Sequence, residues 1–412
     1  MNFNNGNLNR NTKSTNRLNV RPVSAFLVNK MVTSEDIFEA YFNCRRGKRT
    51  TASAIAYEMK YEERLLNLKD RINDRTYVPT LSTCFVVTRP RYREVFASSF
   101  EDRIVHHYAS LRLEPLFEEI FSDRTFNCRK GKGVLYGINV LKNDIIECSN
   151  NYTSDCYIMK LDLKGFFMSI DRLMLQGMID DFIVKHYKGD DIEDLRFVCR
   201  VMILHEPEKC CVRRSPLSFW DNIPESKSLF TNGDGKGAAI GNIWAQLFAN
   251  FLLNVLDWFV EKLGIRYHGR YVDDSYMIDK SKEKLLACIQ PIRELLASLG
   301  LSLNERKFYL QHYTKGVQFT GSIVKPYRTY CGKRTINNFK RAVARLNRSK
   351  NIEEVRGAVC SINSYLGFLR QHDEYNNRRK ILGSIDRRMF KYVYIKGHHE
   401  VLALKRKYKT WN

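Results

Sequence analysis

Apolar and polar positions recur along the chain with two periods, which divide it into predicted helices and strands. The helical period begins near Ser34, where Thr33 and Asp36 form a capping-box-like start, and it continues intermittently to about Ile72. Three later segments also predict helices, namely FEDRIVHHYASLRLEPLFEEIF, the mostly apolar GNIWAQLFANFLLNVLDWFVEKL and residues 283–300. From about Thr335 to the end, the pattern predicts basic helices.

Strand-like runs separate these helices. VPTLSTCFVVTRP and REVFAS predict two neighbouring strands, and CYIMKLDLKGFF predicts a strand that ends in polar and Gly residues. RYHGRYVDDSYMID predicts a hairpin with Asp273 and Asp274 at its turn, and GVQFTGSIVKPY is also strand-like. Residues 206–237 contain several Pro and Gly residues and predict a long loop or insertion. The mixture of elements indicates an α/β or α+β chain.

The charge of the chain narrows its choice of partners. Its 412 residues are enough for two or three subdomains, and 68 Lys and Arg against 45 Asp and Glu give a formal net charge of +23. Such an excess indicates a polyanionic partner, either nucleic acid or an anionic membrane surface. Because no run of about 18 apolar residues is present, we expect no membrane span. A basic protein without a polyanionic partner remains the alternative at this point.

The start of the chain and the pattern of cysteines indicate the cellular compartment. Residues 1–20 are rich in Asn, Arg and Lys, and we expect residues 1–30 to form a mobile basic arm. The eleven Cys are scattered without a C-x-x-C pair, and the start of the chain lacks a signal-peptide pattern. We therefore expect reduced thiols in a cytoplasmic protein.

Three carboxylates stand out at predicted strand ends. Asp162 ends one β-run, and the adjacent Asp273 and Asp274 lie in a hydrophobic hairpin where two like charges repel each other. An ordinary turn with an unrelated helix cap would explain each segment alone. A bound cation would explain both, because Mg²⁺ prefers carboxylate oxygens, and two such ions about 3.5–4 Å apart promote transfer of a nucleotide to a 3′-hydroxyl.

In combination, these segments resemble the reverse transcriptase family. LDLKGFFMSID resembles its first catalytic motif and YVDD its Tyr-x-Asp-Asp box, while RPRYREVFASSFEDRIVHH, GKGAAIGNIWAQLFAN and LGLSLNERKFYL resemble further motifs, over roughly residues 35–385 in all. The resemblance implies an α+β right-hand polymerase with an antiparallel palm sheet and a helical thumb. Its subdomains would be fingers with part of the palm at residues 31–155, palm at 156–325 and basic thumb and tail at 326–412.

The resemblance also implies roles for particular side chains. It makes Asp162, Asp273 and Asp274 the ligands of two Mg²⁺ ions, for which Mn²⁺ could substitute, and Lys307 a general acid, for which an ordinary surface lysine is the alternative. Phe167 would be a steric gate against the ribose 2′-hydroxyl, although packing in the core is the alternative for this ring. The remaining nucleotide-binding residues would be Arg93, Arg129, Lys132, Ile240, Gly241 and Gln246. The nucleic-acid-binding residues would be Arg370, Arg378, Arg379 and Lys380.

Ile240 departs from the common pattern of the family. Most members have Gln-Gly where this chain has Ile240-Gly241, and an apolar side chain loses a polar contact near the nucleotide, so we expect lower discrimination between correct and incorrect pairs. Ile-Gly with a downstream Gln, together with SINSYLGFLRQHDEYNNRRK, is similar to the enzymes of diversity-generating retroelements. The defence-associated reverse transcriptases of bacterial antiphage systems are a related alternative.

The resulting hypothesis is an RNA-directed DNA polymerase. Its implied partners are dNTPs, a template RNA that we expect to be a dedicated non-coding RNA, the RNA–DNA hybrid, and a small accessory protein or second subunit, with no membrane. Two alternatives stay open, a non-catalytic nucleic-acid-binding scaffold and an RNA polymerase that Phe167 disfavours. We also expect salt to weaken RNA binding steeply.

Overall fold

A computed structural model of the protein describes residues 31–89 and 91–408, so the predicted arm at residues 1–30 lies outside the described residues. The first helix begins where the capping box predicts. The Thr33 hydroxyl accepts a hydrogen bond from the Asp36 backbone N–H at 3.3 Å, and the Asp36 carboxylate accepts one from the Thr33 N–H at 2.9 Å. This helix is α1, Ser34–Arg45.

Helices make up most of the fold. Following α1 they are α2 Ala52–Glu58, α3 Tyr61–Asn73, α4 Phe100–Ile120, α5 Val134–Cys148, α6 Phe166–Ser169, α7 Arg172–His186, α8 Ile192–Leu204, α9 Ile243–Lys262, α10 Lys282–Ala287, α11 Ile289–Ser298, α12 Lys333–Arg348, α13 Ile352–Leu369 and α14 Tyr375–Leu382. The predicted helix over residues 283–300 is therefore two helices, α10 and α11.

The strands form four small sheets. The strands are β1 Ser82–Val87, β2 Arg93–Ala97, β3 Tyr157–Asp162, β4 Cys211–Arg213, β5 Tyr267–Tyr271, β6 Asp274–Asp279, β7 Tyr309–His312, β8 Val317–Phe319, β9 Ser322–Lys325, β10 Arg328–Cys331, β11 Val393–Lys396 and β12 Val401–Leu404. The orders are β2-β1-β4, β5-β6-β3-β7, β10-β9-β8 and β11-β12. The four-stranded sheet is antiparallel throughout, and in the first sheet β4 pairs parallel to β1.

Apolar packing joins these elements around two large cores. One core contains α1 to α4, α7 to α9, α11 and the inner face of β3. A separate core extends from Cys331 to Leu402 and contains α12 to α14 with β11 and β12. None of the eleven cysteines, which all lie within the described residues, is in a disulfide. The predicted subdomain limits at residues 155, 325 and 326 stay predictions.

Three predictions about elements need correction. Residues 206–237 are not loop alone, because β4 extends the β1–β2 sheet. The end of the chain is not purely helical, because β11 and β12 pair with each other. By length and hydropathy α9 would be apolar enough to cross a membrane, contrary to our expectation, but 72% of that segment is buried inside the protein. It is the central helix of the first core.

Candidate active site

The three candidate Asp residues lie at one end of the four-stranded sheet. Antiparallel pairing of β3 with β6 places Asp162 directly opposite Asp274, and Asp273 immediately precedes β6. Opposed residues in an antiparallel pair point to the same face of the sheet, so the Asp162 and Asp274 side chains share one face. Pairing of β3 with the second strand of the predicted YVDD hairpin therefore brings together carboxylates that are 112 residues apart in the chain.

The turn that carries Asp273 is strained. Val272 has φ of 59°, a left-handed conformation that β-branched residues rarely adopt. Two buried side chains hold it there: Asn127 Oδ1 accepts a hydrogen bond from the Val272 N–H at 2.8 Å, and Arg270 Nη1 donates one to the Val272 carbonyl at 3.0 Å. Strain of this kind persists only where the surroundings fix the backbone.

A buried polar network fixes these two side chains in turn. Arg270 is 1% exposed and makes hydrogen bonds to both carboxylate oxygens of Asp257. Asn250 Oδ1 accepts a hydrogen bond from Asn127 Nδ2 at 2.8 Å, and Thr125 donates one to Asp257 at 2.6 Å. No sequence motif predicted this network. A signal was present, because polar residues recur at helical spacing on the otherwise apolar α9: Gln246, Asn250, Asn254 and Asp257.

The environment of Asp273 disfavours its charge. Burial is the main cause of a raised pKa for this carboxyl group, and the negative charges of Asp162 and Asp274 raise the pKa further. The positive charge of Arg93, on β2, acts in the opposite sense and lowers this pKa. The site is thus a concentration of negative potential that positive charge would stabilise.

Two lysines already supply positive charge at the site. Lys307 Nζ lies 2.9 Å from Asp162 Oδ2, and Lys160 Nζ lies 2.6 Å from Asp274 Oδ1 and 2.8 Å from the Gln318 carbonyl oxygen. Lys307 was a predicted site residue, whereas Lys160 was not. Since Lys160 is two positions before Asp162 on the same strand, strand alternation alone places both side chains on one face.

The donor set fits divalent cations. Three carboxylates provide the hard oxygen ligands that Mg²⁺ prefers, and ammonium groups lie within ion-pair distance of two of them, where a cation would be stabilised. Among residues 31–89 and 91–408, no three His, Cys, Asp or Glu side chains converge as a ready metal cluster. Cation binding would therefore compete with the ion pairs that Lys160 and Lys307 make with Asp274 and Asp162.

The predicted nucleotide-selecting residues lie on segments that hydrogen-bond to one another. The Phe167 carbonyl accepts a hydrogen bond from the Ala238 N–H at 2.7 Å, and the Ile240 carbonyl accepts one from the Phe96 N–H at 2.8 Å. The rings of Phe166 and Phe167 are 5.1 Å apart, so Phe167 also packs in the core. Gly241 has φ of 127°, and a Cβ there would lie 2.6 Å from the Phe96 carbonyl oxygen. Only Gly fits this close approach.

Three predicted nucleotide-binding residues have protein partners in the structure. Arg129 has a side chain that is 4% exposed and donates to Glu118 and to the Ser122 carbonyl, so it stabilises its own loop and is not free for a triphosphate. Lys132 pairs with Asp123 at 2.9 Å and is also largely covered. Gln246 is exposed, but its Oε1 accepts a hydrogen bond from the Cys128 thiol at 2.9 Å.

The predicted thumb residues divide into two groups. Arg370, Arg379 and Lys380 are exposed, as a nucleic-acid contact requires. Arg378 is 7% exposed, and its Nη1 lies 3.4 Å from the His399 carbonyl oxygen, so this side chain faces the protein and its contact with nucleic acid stays a prediction. The residue packs in the C-terminal part of the fold, because α14 turns this position toward the protein.

Carboxylates on an antiparallel sheet, beside a Gly turn and an Arg-bearing strand, define a polymerase-type site for nucleotidyl transfer. Residues 88–324 match the family model described as reverse transcriptase (RNA-dependent DNA polymerase). This match covers more than half of the chain, which therefore belongs to the reverse transcriptase family. The predicted α+β right-hand polymerase fold with its antiparallel palm sheet is confirmed. No relative among curated protein sequences matches.

Solved structures of telomerases show a distant likeness. The apo telomerase of Candida tropicalis has 13% identity and a TM-score of 0.47, with 74% of this chain and 56% of that chain covered. A form of it truncated from the C-terminal domain has 15% identity and a TM-score of 0.44 over 61% and 55%. Telomerase of Candida albicans in complex with a fragment of telomeric RNA has 11% identity and a TM-score of 0.44 over 74% and 59%. The chain thus spans less than two thirds of these relatives.

Proposed function

We propose that the protein synthesises DNA on an RNA template by nucleotidyl transfer at Asp162, Asp273 and Asp274. The observation that carries this proposal is the β3–β6 register, which sets Asp162 opposite Asp274 beside a strained turn. Two Mg²⁺ ions, replaceable by Mn²⁺, would bind these carboxylates and would stabilise charge on the attacking and leaving oxygens.

The remaining side chains of the site supply binding and positioning. Arg93 on β2 would bind the triphosphate, for which its planar fork of donors is suited, and its influence on the pKa of Asp273 supports this role. Lys307 forms an ion pair with Asp162 in the free protein and would become available to protonate pyrophosphate once that carboxylate binds a cation. Phe167 would exclude a ribose 2′-hydroxyl, which favours dNTPs.

The biological setting is a finer proposal that rests on Ile240. An apolar residue before Gly241 supports low fidelity and hence a mutagenic bacterial retroelement, with antiphage defence as the alternative setting. In either setting the template would be a dedicated non-coding RNA, and a small accessory protein or second subunit would assist. We place the enzyme in the cytoplasm.

Incorporation of labelled dNTPs on a primed RNA template with Mg²⁺ tests the activity. We expect incorporation by the wild type and none by Asp273→Ala/Asp274→Ala. Asp279→Ala, at the far end of the same strand, is the matched control and should stay active. Sequencing the product tests the role of Ile240 in fidelity.

Three outcomes would contradict parts of this proposal. Equal incorporation of rNTPs would favour the RNA polymerase alternative. Activity that persists in the double variant would exclude the assigned carboxylates. No incorporation by the wild type, even with RNA that co-purifies with it, would favour a nucleic-acid-binding scaffold.

A further inference from the structure

Residues 206–237 fold back onto the sheet that contains β1 and β2. Within this segment β4 pairs parallel with β1, and the Ser215 hydroxyl accepts a hydrogen bond from the Val86 N–H at 2.9 Å. The Arg213 guanidinium carbon stacks 3.7 Å from the centre of the Phe230 ring, which holds the two halves of the segment together. The segment is therefore packed against β1 and held together by its own contacts.

A buried carboxylate fastens this segment to β2. Glu94 is 3% exposed, and its two carboxylate oxygens accept hydrogen bonds from the Ser228 hydroxyl and, at 2.9 Å, from the Leu229 N–H. Adjacent residues of a strand point to opposite faces. Holding Glu94 on the inner face therefore fixes Arg93 on the opposite face of β2, the face of Val95, whose Cγ1 would lie 2.9 Å from a Cβ at Gly241.

The same segment also holds the proposed steric gate. Asn232 Nδ2 donates a hydrogen bond to the Met168 carbonyl at 2.7 Å, one residue after Phe167. Leu229 and Met168 belong to one apolar cluster, against which Phe167 and Ile240 pack. Residues 206–237 thus contact the parts of the protein that hold three predicted nucleotide-binding residues: Arg93, the proposed steric gate Phe167, and Ile240.

We propose that residues 206–237, which Glu94 of β2 holds in place through Ser228 and Leu229, form a selectivity latch. In this latch Glu94, Ser228 and Leu229 are positioning residues, and the residues that they position are Arg93, Phe167 and Ile240. The latch rests on the proposed function, and it assigns to this segment the selection of the incoming nucleotide. Its effect would be to hold the nucleotide pocket preformed before substrate binds, which lowers the ordering cost of binding. A segment that only stabilised the fold would change the yield of folded protein but not the selectivity.

Steady-state incorporation with dNTPs and with rNTPs tests the latch. In Glu94→Ala we expect the dNTP KM to rise about tenfold with kcat changed less than about threefold, because weakened ground-state contacts affect KM. The preference for dNTPs over rNTPs should fall by a similar factor. Glu94→Gln keeps one acceptor oxygen and should restore most of the wild-type values, and Ser228→Ala should give a smaller change than Glu94→Ala.

Glu225→Ala is the matched control, because this glutamate is on the same segment and is exposed. Equal falls of kcat in all variants, with the dNTP KM and the sugar preference unchanged, would overturn the latch.

Hydrogen exchange of the protein without nucleotide separates the latch from the activity. In Glu94→Ala the amides of residues 93–97 and 228–240 should exchange faster than in the wild type, with α13 unchanged. Unchanged exchange in both segments would overturn the latch even if the enzyme is active. An inactive wild type would contradict the proposed function, while the exchange result would still decide whether the latch exists.

Discussion

Asp273 shows at the scale of one residue how function opposes stability. Its raised pKa means that the folded protein binds the proton more tightly than the unfolded chain does. The stabilisation from this proton is therefore full below the ordinary value of 3.8 and is lost as pH rises through the raised pKa. At neutral pH the ionised carboxylate opposes folding, so its retention indicates use.

We predict that Asp273→Asn is more stable than the wild type at neutral pH. The melting temperature should rise by about 1–2 °C, and the difference should shrink as pH falls toward about 4. Adding Mg²⁺ should raise the melting temperature of the wild type more than that of the variant. Thermal unfolding across this pH range measures both effects, and a variant less stable than the wild type at pH 7 would contradict the argument.

The buried Arg270–Asp257 pair supports the turn that contains Val272 and Asp273. Arg270→Met should lower the free energy of unfolding by about 3–5 kcal/mol, because it leaves Asp257 charged, buried and without its main partner. Arg266→Met is the control, since that side chain is 78% exposed and should change the free energy by less than about 0.5 kcal/mol. Chemical denaturation compares the two, and equal losses would refute a structural role for the buried pair.

Some of these residues could be predicted from the sequence and others could not. Asp162, Asp273 and Asp274 stand in short motifs whose chemistry is local, so their types and spacing identify them. Asn127 supports Val272 across 145 positions of chain, and nothing near Asn127 indicates that contact. Arg129 and Arg378 are the opposite case. Their charge suggests a ligand contact, but both side chains are buried against the protein, and charge alone does not tell whether an arginine faces a ligand or its own fold.

At the scale of elements, the turn before α9 has little freedom. Gly241→Ala should cost about 1–3 kcal/mol, because its backbone conformation is strained for other residues and the Phe96 carbonyl lies in the way. Gly177→Ala in α7 has no atom within 4 Å of the added carbon and should instead stabilise by up to about 1 kcal/mol. Unfolding measurements on both variants would contradict this reasoning if the two changes had the same sign.

Elements were predictable where local pattern decides them. The capping box of α1, the β1–β2 pair and the β5–β6 hairpin follow from contacts between near neighbours in the chain. Strand β4 has only three residues and pairs with β1 about 129 positions earlier, so its own sequence carries little signal. The β11–β12 hairpin was hidden by basic residues that equally suit a helix surface.

At the scale of the whole molecule, the exposed face of α12 carries several positive charges. Helix α12 buries Phe339, Ala342, Val343 and Leu346 and exposes a basic stripe made of Lys333, Lys340, Arg341, Arg345 and Arg348. With a net charge of +23, binding to RNA should release many counterions. We therefore predict that the affinity for RNA falls steeply with salt, and a flat response would contradict a broad basic contact surface.

The stripe on α12 gives this last prediction its sharpest form. Lys340→Glu/Arg341→Glu should weaken binding to an RNA–DNA hybrid and should reduce the slope of log affinity against log salt by about 1–2, because each lost phosphate contact removes one released counterion. Lys280→Glu/Lys282→Glu makes the same change in net charge at exposed positions near α10. If binding depends on the stripe, only the first pair alters the slope, since counterion release counts local phosphate contacts. If both pairs alter it equally, the overall charge of the protein, and not α12, governs the interaction.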